Sequence, residues 1–403
     1  MSGDAPLPLQ GVRVLTVSSF GAGPWGTMLL GDLGAEVIKI EDRRSGGDAA
    51  RGVPPLDERA PDDSLYFQSM NRNKRSLTLD IRSDAGRAIL RDLARVSDAV
   101  YNNLRGDLPG ALGLDYAALS EVNPRLVCVS CSGFGRGGER AGEPGYDFVI
   151  QALAGYMSLT GEPGGPPVRS GVSVVDFATG LVSVVGLLSG LLRARETGRG
   201  GDVETSLLQG GVSMLNYLAA WNLNLGVEPR RIAHSAHQSV APVQIFATSD
   251  GWIFVMCMKD KFFERMCARL GRDDLAADPR YASITARGER REELVETLAR
   301  EFARGTTAHW LERLRGEVPC APVNDLTQAL SEPQLQQLGM LWELEHPKLG
   351  SLREVGCPID LPGSEAMPRR PAPALGADTE DLLSELLGLS AAEIEKLRTD
   401  GVI

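Results

Sequence analysis

Apolar strand-like runs alternate with helical runs in the first third of the chain, and this alternation is the strongest constraint on the fold. The strand-like runs are VRVLTV (12–17), AEVIKIE (35–41), DAVYNN (98–103) and RLVCVSC (125–131). Helical stretches such as PWGTMLLGDLGA and AGRAILRDLARV separate them. Buried strands joined by helices are typical of a parallel sheet that is covered on both faces. The sequence therefore predicts an α/β fold with a Rossmann-like parallel sheet.

The composition of the 403-residue chain changes near residue 226, and a second boundary is expected near residue 330. The chain is therefore divided into three segments. We expect a large domain over 1–225, followed by a linker and a smaller α+β domain over 226–330. The smaller domain contains two apolar runs around a Ser-Asp-Gly turn, which predict a strand pair. Residues 331–403 are expected to return to the large domain. They end in two helical runs that Asp378 and Ser390 open as N-caps.

Charge and hydropathy exclude several classes of partner. The net charge is −11, without a basic tail, so binding to nucleic acid or to an anionic membrane surface is not expected. The longest uncharged apolar run, Phe177–Leu192, is shorter than the about 20 residues of a membrane span. The N-terminal MSGDAPLPLQ lacks the basic-then-apolar pattern of a secretion signal. We expect a cytoplasmic protein.

Cysteine and histidine positions do not form a metal site. Of six cysteines only Cys128 and Cys131 form a CxxC, and in a strand their side chains face opposite ways. Reduced thiols and no bound metal are expected, as is usual in the cytosol. His309 and His346 are expected at the surface. The linker holds the other two histidines, His234 and His237, and whether either of them enters a site stays open.

The segment GAGPWG (21–26) matches G-x-G-x-x-G between a strand and a helix, and Glu41 closes the next strand. This arrangement binds the pyrophosphate of NAD or FAD at a helix N-terminus, with the acid on the ribose. However, Pro24 removes an amide donor and Trp25 is bulky where a small residue is usual. A nucleotide-dependent oxidoreductase stays an alternative, and phosphate binding at this helix N-terminus is attractive in any case.

A single acid interrupts the apolar segment PPVRSGVSVVDFATGLVSVVGLL (166–188). Asp176 stands between Val175 and Phe177, and the next charged residue is Arg193. A buried carboxylate without a partner is costly or takes up a proton. Asp176 is therefore paired, caps a helix, or serves chemistry, and the local residues leave these alternatives open.

Segments along almost the whole chain resemble the class III coenzyme A transferases, the family of formyl-CoA transferase and carnitine CoA-transferase. In the first half these are GVRVLTVSSFGAGPWGTMLLGDLGAEVIKIE, SLYFQSMNRNKRSLTLDIRS, NPRLVCVSCSGFG, GYDFVIQALAGYMSLTGEPGGPPVRSGVSVVDFATG and ARETGRGGDVETSL; in the second half they are DGWIFV, VPCAPVNDL and LGADTEDLL. The resemblance implies transfer of coenzyme A from a donor acyl-CoA to an acceptor carboxylic acid. It also implies an interlocked homodimer, with acyl-CoA as substrate and no permanently bound cofactor.

The resemblance also implies roles for individual residues. Asp176 is the nucleophile that becomes an aspartyl-CoA thioester. The coenzyme A groove is expected at Leu79, Arg82, Asn103, Leu104 and Arg105, and at Arg43, which follows the position where Asp42 replaces a basic residue of the family. Near the thioester we expect Tyr146 and Asp147, with Gly21 and Ala22 as backbone donors to the oxyanion. Gly21 stands where formyl-CoA transferase has Gln, which argues against oxalate or formate.

The same fold includes α-methylacyl-CoA racemase, which moves the α-proton of an acyl-CoA with a His and an Asp. Racemases carry GHD where this chain has Tyr146 and Asp147, and a phenol with a pKa near 10 is a poor base at neutral pH. Racemase activity stays the alternative function. The sequence does not identify the two acids, or whether coenzyme A moves within one dicarboxylate, although small residues favour a neutral, largely apolar or C4–C5 acyl group.

Overall fold

The computed structural model describes residues 6–364 and 366–403, so residues 1–5 of the N-terminal MSGDAPLPLQ lie outside the described residues. Its contacts define two compact units. Of the described residues, the first unit contains those in 6–154, Gly171–Asn216 and Gln334–Ile403. The second contains Gly155–Ser170 and Tyr217–Pro333. Residues 155–170, which the sequence groups with the large domain, thus belong to the second compact unit.

The secondary structure of the described residues alternates as follows. The strands are β1 (Arg13–Val17), β2 (Glu36–Glu41), β3 (Leu56–Asp57), β4 (Ala60–Ser64), β5 (Lys74–Thr78), β6 (Ala99–Asn102), β7 (Val127–Ser132), β8 (Gly201–Ser206), β9 (Val243–Ala247), β10 (Trp252–Met256), β11 (Cys320–Pro322), β12 (Leu341–His346) and β13 (Gly350–Val355). The helices are α1 (Ala22–Asp32), α2 (Leu65–Asn71), α3 (Asp84–Arg95), α4 (Leu108–Ala111), α5 (Tyr116–Leu119), α6 (Asp147–Leu153), α7 (Tyr156–Leu159), α8 (Val174–Thr197), α9 (Leu207–Met214), α10 (Asn216–Leu225), α11 (Asp260–Leu270), α12 (Asp273–Ala277), α13 (Ile284–Glu289), α14 (Arg291–Phe302), α15 (Thr307–Leu314), α16 (Leu326–Leu330), α17 (Pro333–Gln337), α18 (Thr379–Leu387) and α19 (Ala391–Thr399).

A six-stranded sheet forms the centre of the first unit, in the order β5-β2-β1-β6-β7-β8. Every neighbouring pair in it is parallel, which confirms the predicted parallel α/β sheet. The chain builds outward from β1 to β5 and then returns to the other side of β1. The order therefore reverses between β1 and β6, and in such sheets ligands bind at the carboxyl ends of the strands at this point.

The C-terminal segment completes the core on one face of the sheet. Leu382 and Leu383 of α18 and Ile394 of α19 are buried in the same cluster as the strand residues Leu15 and Val100. Ser390 caps α19 as predicted, in a capping box with Glu393. Asp378 occupies the predicted N-cap position of α18, but its side chain makes no capping hydrogen bond. Its carboxylate instead accepts hydrogen bonds from the Ser76 amide and from Arg370.

Helices α1 and α8 approach each other closely in the first unit at two glycines, Gly26 and Gly180. A Cβ atom at Gly180 would lie 2.7 Å from the Ala22 carbonyl oxygen, and one at Gly26 would lie 3.0 Å from the Gly180 oxygen. Among the described residues α8 is the one helix long and apolar enough to cross a membrane. A core helix meets the same criteria, and the Ser183 hydroxyl of α8 lies 2.9 Å from the buried Tyr101 hydroxyl of β6. We therefore assign α8 to the core of this unit.

The second unit has an antiparallel sheet in the order β11-β10-β9, which contains the predicted strand pair. Its core includes the stacked rings of Phe246 and Phe302, with centroids 4.7 Å apart. In the first unit, the prediction that His346 lies at the surface is wrong. His346 is buried, and its Nε2 lies 3.0 Å from the Asp63 carboxylate, which neighbours it only through the tertiary fold.

Candidate active site

A cavity of about 220 Å³ opens at the carboxyl ends of β1 and β6, where the strand order reverses. It is lined by Ser19, Phe20, Gly21, Ala22, Asn103, Leu104, Arg105, Leu108, Cys131, Gly133, Pro144, Gly145, Tyr146, Asp176 and Leu207. Seven of these were predicted as site residues from the sequence. The fold thus brings together predicted residues from Gly21 to Asp176, which are far apart in the sequence.

Asp176 lies in the first turn of α8, with its carboxylate facing this cavity. Ser173, not Asp176, occupies the N-cap position. Among the described residues no ion pair or hydrogen bond to this carboxylate is formed, so the N-cap and ion-pair interpretations are wrong. Burial, and then the negative charge of Asp147, raise the pKa of Asp176 to about 7. An apolar setting therefore outweighs the favourable helix N-terminus.

Asp147 holds the first turn of α8 in place through its carboxylate. It is buried, and its carboxylate accepts hydrogen bonds from the Asp176 amide at 2.9 Å and from Gln151 Nε2 at 2.5 Å. Two carboxylates are thus held close together, with the buried one fixed and the other open to the cavity. Such pairs at clefts are frequent where an acid takes part in a reaction.

Gly21 approaches the Asp176 carboxylate so closely that no side chain fits between them. A Cβ atom at Gly21 would lie 2.9 Å from the Asp176 Cγ and closer still to Oδ2. Gly21 immediately precedes α1, and Ala22 is the first residue of that helix. The backbone of the β1–α1 loop therefore lies directly beside the carboxylate, where a glycine is required by space.

The loop before Gly21 is fixed by two side chains of the cavity. The Asn103 amide group accepts from the Ser19 amide at 2.9 Å and donates to the Ser19 oxygen at 2.8 Å. The Phe20 ring meets the Tyr146 ring edge to face, with centroids 5.8 Å apart. Tyr146 is nevertheless more than half exposed, which leaves its ring at the mouth of the cavity.

Two further predicted groove residues, Leu79 and Arg82, help to line a second cavity of about 90 Å³. Leu104 lines both cavities. Arg82 pairs with Asp42 at 2.6 Å, and Arg105 of the first cavity pairs with Asp107 at 3.0 Å. Arg43 lines a different cavity of about 520 Å³, beside α18 and α19. The structure therefore does not place Arg43 with the other candidates.

The NAD or FAD interpretation of GAGPWG conflicts with the position of Glu41. Its carboxylate is buried and occupied by the Arg51 guanidinium at 2.7 Å, the Asp48 amide at 3.0 Å and the Ser76 hydroxyl at 2.7 Å. An acid so fully engaged has no free oxygen for a ribose. Pro24 also lies inside the first turn of α1, where it lacks the amide that a phosphate would use.

A family model for CoA-transferase family III matches residues 9–379 of this chain. The chain belongs to CoA-transferase family III. Its similarity to succinyl-CoA:glutarate CoA-transferase of Mus musculus is 35% identity over 99% of this chain and 91% of the relative. Succinate–glutarate CoA-transferase of Agrobacterium fabrum is 34% identical over 94% of this chain and 96% of its own length.

Solved structures of the family show the same fold. A CaiB/BaiF family protein from Brucella suis is 33% identical, covers 95% of this chain and 100% of its own, and superposes with a TM-score of 0.81. A hypothetical protein from Mycobacterium tuberculosis reaches 0.83 at 27% identity, over 94% of this chain and 100% of its own. The architecture derived above is therefore that of family III.

Two side chains in the surroundings of Asp176 were missed from the sequence of this family III member. Burial and then the charge of Asp176 raise the pKa of the Tyr66 phenol, so Tyr66 shares its electrostatic environment. Its position within SLYFQSMNRNKRSLTLDIRS, one of the segments that carry the resemblance, was the available signal. Cys131 lines the cavity, but burial raises the pKa of its thiol to about 12, so it stays protonated.

Proposed function

We propose that this family III enzyme transfers coenzyme A from a donor acyl-CoA to an acceptor carboxylate through covalent catalysis by Asp176. The observation that carries this proposal is the carboxylate of Asp176. It faces a cavity, has no hydrogen-bonding partner among the described residues, and lies beside the backbone of Gly21. A carboxylate with a raised pKa is also a stronger nucleophile than an ordinary one once it is ionised.

The reaction proceeds in two reversible halves. An Asp176 oxygen attacks the thioester carbon of the donor, and the C–S bond breaks to give a mixed anhydride and the coenzyme A thiolate. The thiolate attacks the aspartyl carbon, which releases the donor carboxylate and leaves an aspartyl-CoA thioester. The acceptor carboxylate then attacks this thioester and expels the thiolate, which gives a second mixed anhydride. The thiolate attacks the acceptor's carbonyl carbon, and this step forms the new acyl-CoA and frees the Asp176 carboxylate. Each step exchanges one acyl bond for another, so no net proton or oxidant is consumed.

Backbone groups beside the nucleophile stabilise each tetrahedral oxyanion. Gly21 adjoins the Asp176 carboxylate and Ala22 follows Gly21 as the first residue of α1, and their amides are our candidates for this role. Apolar groups flank the nucleophile, since Val175 is buried and the Phe177 ring packs against Trp25 at 5.1 Å between centroids. This packing limits the access of water that would hydrolyse the anhydride.

Coenzyme A is proposed to occupy both small cavities of the first unit. Leu104 forms part of the wall of each, so a linear pantetheine chain passes this residue between its nucleotide and its thioester. Arg82 and Arg105 are the proposed phosphate partners. Each must exchange a carboxylate neighbour, Asp42 or Asp107, for a phosphate when the substrate binds.

Dicarboxylic acids of four or five carbons are the proposed substrates. The names of the mouse and Agrobacterium relatives specify succinate and glutarate. The cavity of about 220 Å³ accommodates an acyl group of this size. The racemase alternative is less well supported, because no histidine is among the residues that line the cavity with Asp176.

A homodimer is proposed from the outer face of α8. Val185 and Leu192 of this helix are 63% and 67% exposed, and Val212 and Met214 of α9 are also exposed. Contiguous apolar surface of this kind marks protein interfaces. Light scattering should give twice the chain mass, and Val185→Glu should shift the protein toward monomer. A monomeric parent protein would contradict the proposal.

A cytoplasmic location is also proposed. All six cysteines, each within the described residues, are free thiols, which suits a reducing compartment. Fractionation of cells that express the protein tests this assignment, and recovery in a secreted or membrane fraction would contradict it.

The decisive experiment is a screen of acyl-CoA donors against acceptor acids, read by mass spectrometry. Succinyl-CoA with glutarate should yield glutaryl-CoA, and hydroxylamine should trap the enzyme as a hydroxamate on the peptide that contains Asp176. Asp176→Ala should lose both signals while its melting temperature and coenzyme A binding are retained. Transfer that persists in Asp176→Ala, or exchange of α-deuterium without an acceptor acid, would contradict the proposal.

A further inference from the structure

Lys39 and Asp48 form an ion pair whose side chains are both 0% exposed. Lys39 Nζ lies 2.9 Å from Asp48 Oδ2 and also donates to the Ser18 carbonyl oxygen at 2.5 Å. Removing two charges from water is expensive, and buried pairs are often no more stabilising than apolar residues of the same size. A role other than stability is therefore worth seeking in what this pair contacts.

The pair holds two of the three residues that lead from β1 to Gly21. Lys39 holds the Ser18 oxygen, and Asp48 Oδ1 accepts from the Phe20 amide at 3.2 Å. The residue between them, Ser19, is held by Asn103. Each residue of the loop is thus fixed through its backbone, which leaves little freedom to the residue that follows.

Phe20 adopts a left-handed conformation with a φ of 61°. A bulky residue is strained there, and such a conformation persists only when its surroundings enforce it. The hydrogen bond to Asp48 is the contact that fixes the Phe20 amide. If the pair is lost, Phe20 is free to relax to negative φ, and this rotation carries Gly21 with it.

We infer that Lys39 and Asp48 are positioning residues for coenzyme A transfer, because their buried ion pair holds Phe20 in its left-handed conformation and thereby sets Gly21 against the Asp176 carboxylate. The inference rests on the proposed function of Asp176. It assigns the pair an effect on the rate of the chemical steps and not on the binding of coenzyme A, since neither residue lines the two small cavities near Asp176.

The test compares two buried ion pairs of the same unit. Arg72 and Asp32 form the control pair at 2.7 Å, with side chains 1% and 0% exposed, and Asp32 is the last residue of α1, at the opposite end from Gly21. Asp48→Asn and Lys39→Met should lower kcat by about 10- to 100-fold and leave KM for acyl-CoA within about twofold. Asp32→Asn should lower the melting temperature at least as much but leave kcat within about twofold.

A rate loss in Asp32→Asn that matches the loss in Asp48→Asn would overturn the inference, as would an unchanged kcat in folded Asp48→Asn. Hydroxylamine trapping in the parent protein separates the two proposals. A trapped Asp176 adduct with unaffected variants removes only the positioning role. Absence of both transfer and adduct in the parent protein removes the proposed function and the positioning role together.

Amide hydrogen exchange of the parent protein provides a second test that needs no variant. The Phe20 amide should exchange about 100-fold more slowly than the exposed amides of Gly137 and Gly138. Exchange as fast as in that exposed loop would show that the pair does not hold Phe20, and would overturn the inference even if Asp48→Asn fails to fold.

Discussion

The backbone N–H of Asp176 donates to the carboxylate of Asp147 at 2.9 Å, so the proposed nucleophile and the acid that opposes its ionisation meet at one helix start. Asp147 is the less exposed of the two and also accepts from Gln151. The first turn of α8 is thereby fixed by a carboxylate and not by a capping hydroxyl. This relationship determines how the enzyme should respond to pH.

The rate of transfer should rise with pH and reach a plateau above about pH 7. Burial and the charge of Asp147 raise the pKa of Asp176 to about 7, and only its ionised form attacks a thioester. Below that value kcat/KM should fall about tenfold per pH unit. Asp147→Asn removes the charge of Asp147, the smaller of the two causes of the raised pKa, and should move the rise in kcat/KM to lower pH. Initial rates over a pH series measure it, and a flat profile would contradict the assignment.

Asp176→Asn should stabilise the folded protein at neutral pH. The folded-state pKa of this acid is raised from 3.8 to about 7, so the folded state binds the proton more tightly than the unfolded state. The contribution of protonated Asp176 to the free energy of unfolding is therefore fully present below pH 3.8 and is lost as the pH rises through 7. The variant avoids that loss, which is up to about 4 kcal/mol at pH 8.

Urea unfolding at pH 4 and pH 8 measures this difference. The advantage of Asp176→Asn should be large at pH 8 and should shrink toward pH 4. Glu121→Gln changes a carboxylate with an 81% exposed side chain and serves as the control, with no comparable dependence on pH. An Asp176→Asn variant that is less stable than the parent at pH 8 would contradict the raised pKa.

Gly21→Ala should lower kcat by about 10- to 100-fold with little loss of stability. The added Cβ would lie 2.9 Å from Asp176 Cγ, so the carboxylate has to turn away from the position it needs for attack. The heavy atoms nearest to the added Cβ belong to the Asp176 side chain, whose end can move without a shift of the backbone, so the fold is retained. Gly137→Ala, where a Cβ meets nothing within 4 Å, is the matched control. Equal rates for the two variants would show that the close approach has no catalytic role.

Arg82→Ala should raise KM for acyl-CoA about tenfold and change kcat little, because Arg82 is proposed to contact a phosphate far from the reacting carbon. Asp42→Asn should lower KM, since in the free protein Asp42 competes for Arg82 at 2.6 Å. Arg95→Ala on the exposed end of α3 is the control. Steady-state kinetics with succinyl-CoA measure these effects, and an unchanged KM in both variants would remove Arg82 from the groove.

That Gly21 and Asn103 lie at one edge of the sheet follows from the strand pattern of the sequence, whereas their roles in the site came from the resemblance. Gly21 and Asn103 follow β1 and β6, and parallel strands direct their carboxyl ends to one edge of the sheet. Asp176 could be placed with them only through the resemblance, because its own surroundings fit an N-cap equally well. The structure excludes the N-cap interpretation, because Ser173 occupies the cap position.

Partners brought together by tertiary packing could not be predicted. His346 reads as a surface residue because nothing near it in sequence suggests Asp63, 283 positions away. Asp378 has the residue type of an N-cap, but the Ser76 amide of β5 competes for its carboxylate. The Lys39–Asp48 pair is similar, since a lysine inside an apolar strand gives no sign of the acid that neutralises it.

The close approach of α1 and α8 at Gly26 and Gly180 has a consequence for evolution and engineering. A Cβ atom at Gly180 would lie 2.7 Å from the Ala22 carbonyl oxygen, so a larger residue there would force α1 away from α8, the helix that carries Asp176. New acid specificities are then most accessible at the rim, where Phe20 and Tyr146 meet and neither glycine contact is disturbed. Laboratory libraries confined to that rim should yield altered substrates at a far higher frequency than libraries spread over the helices.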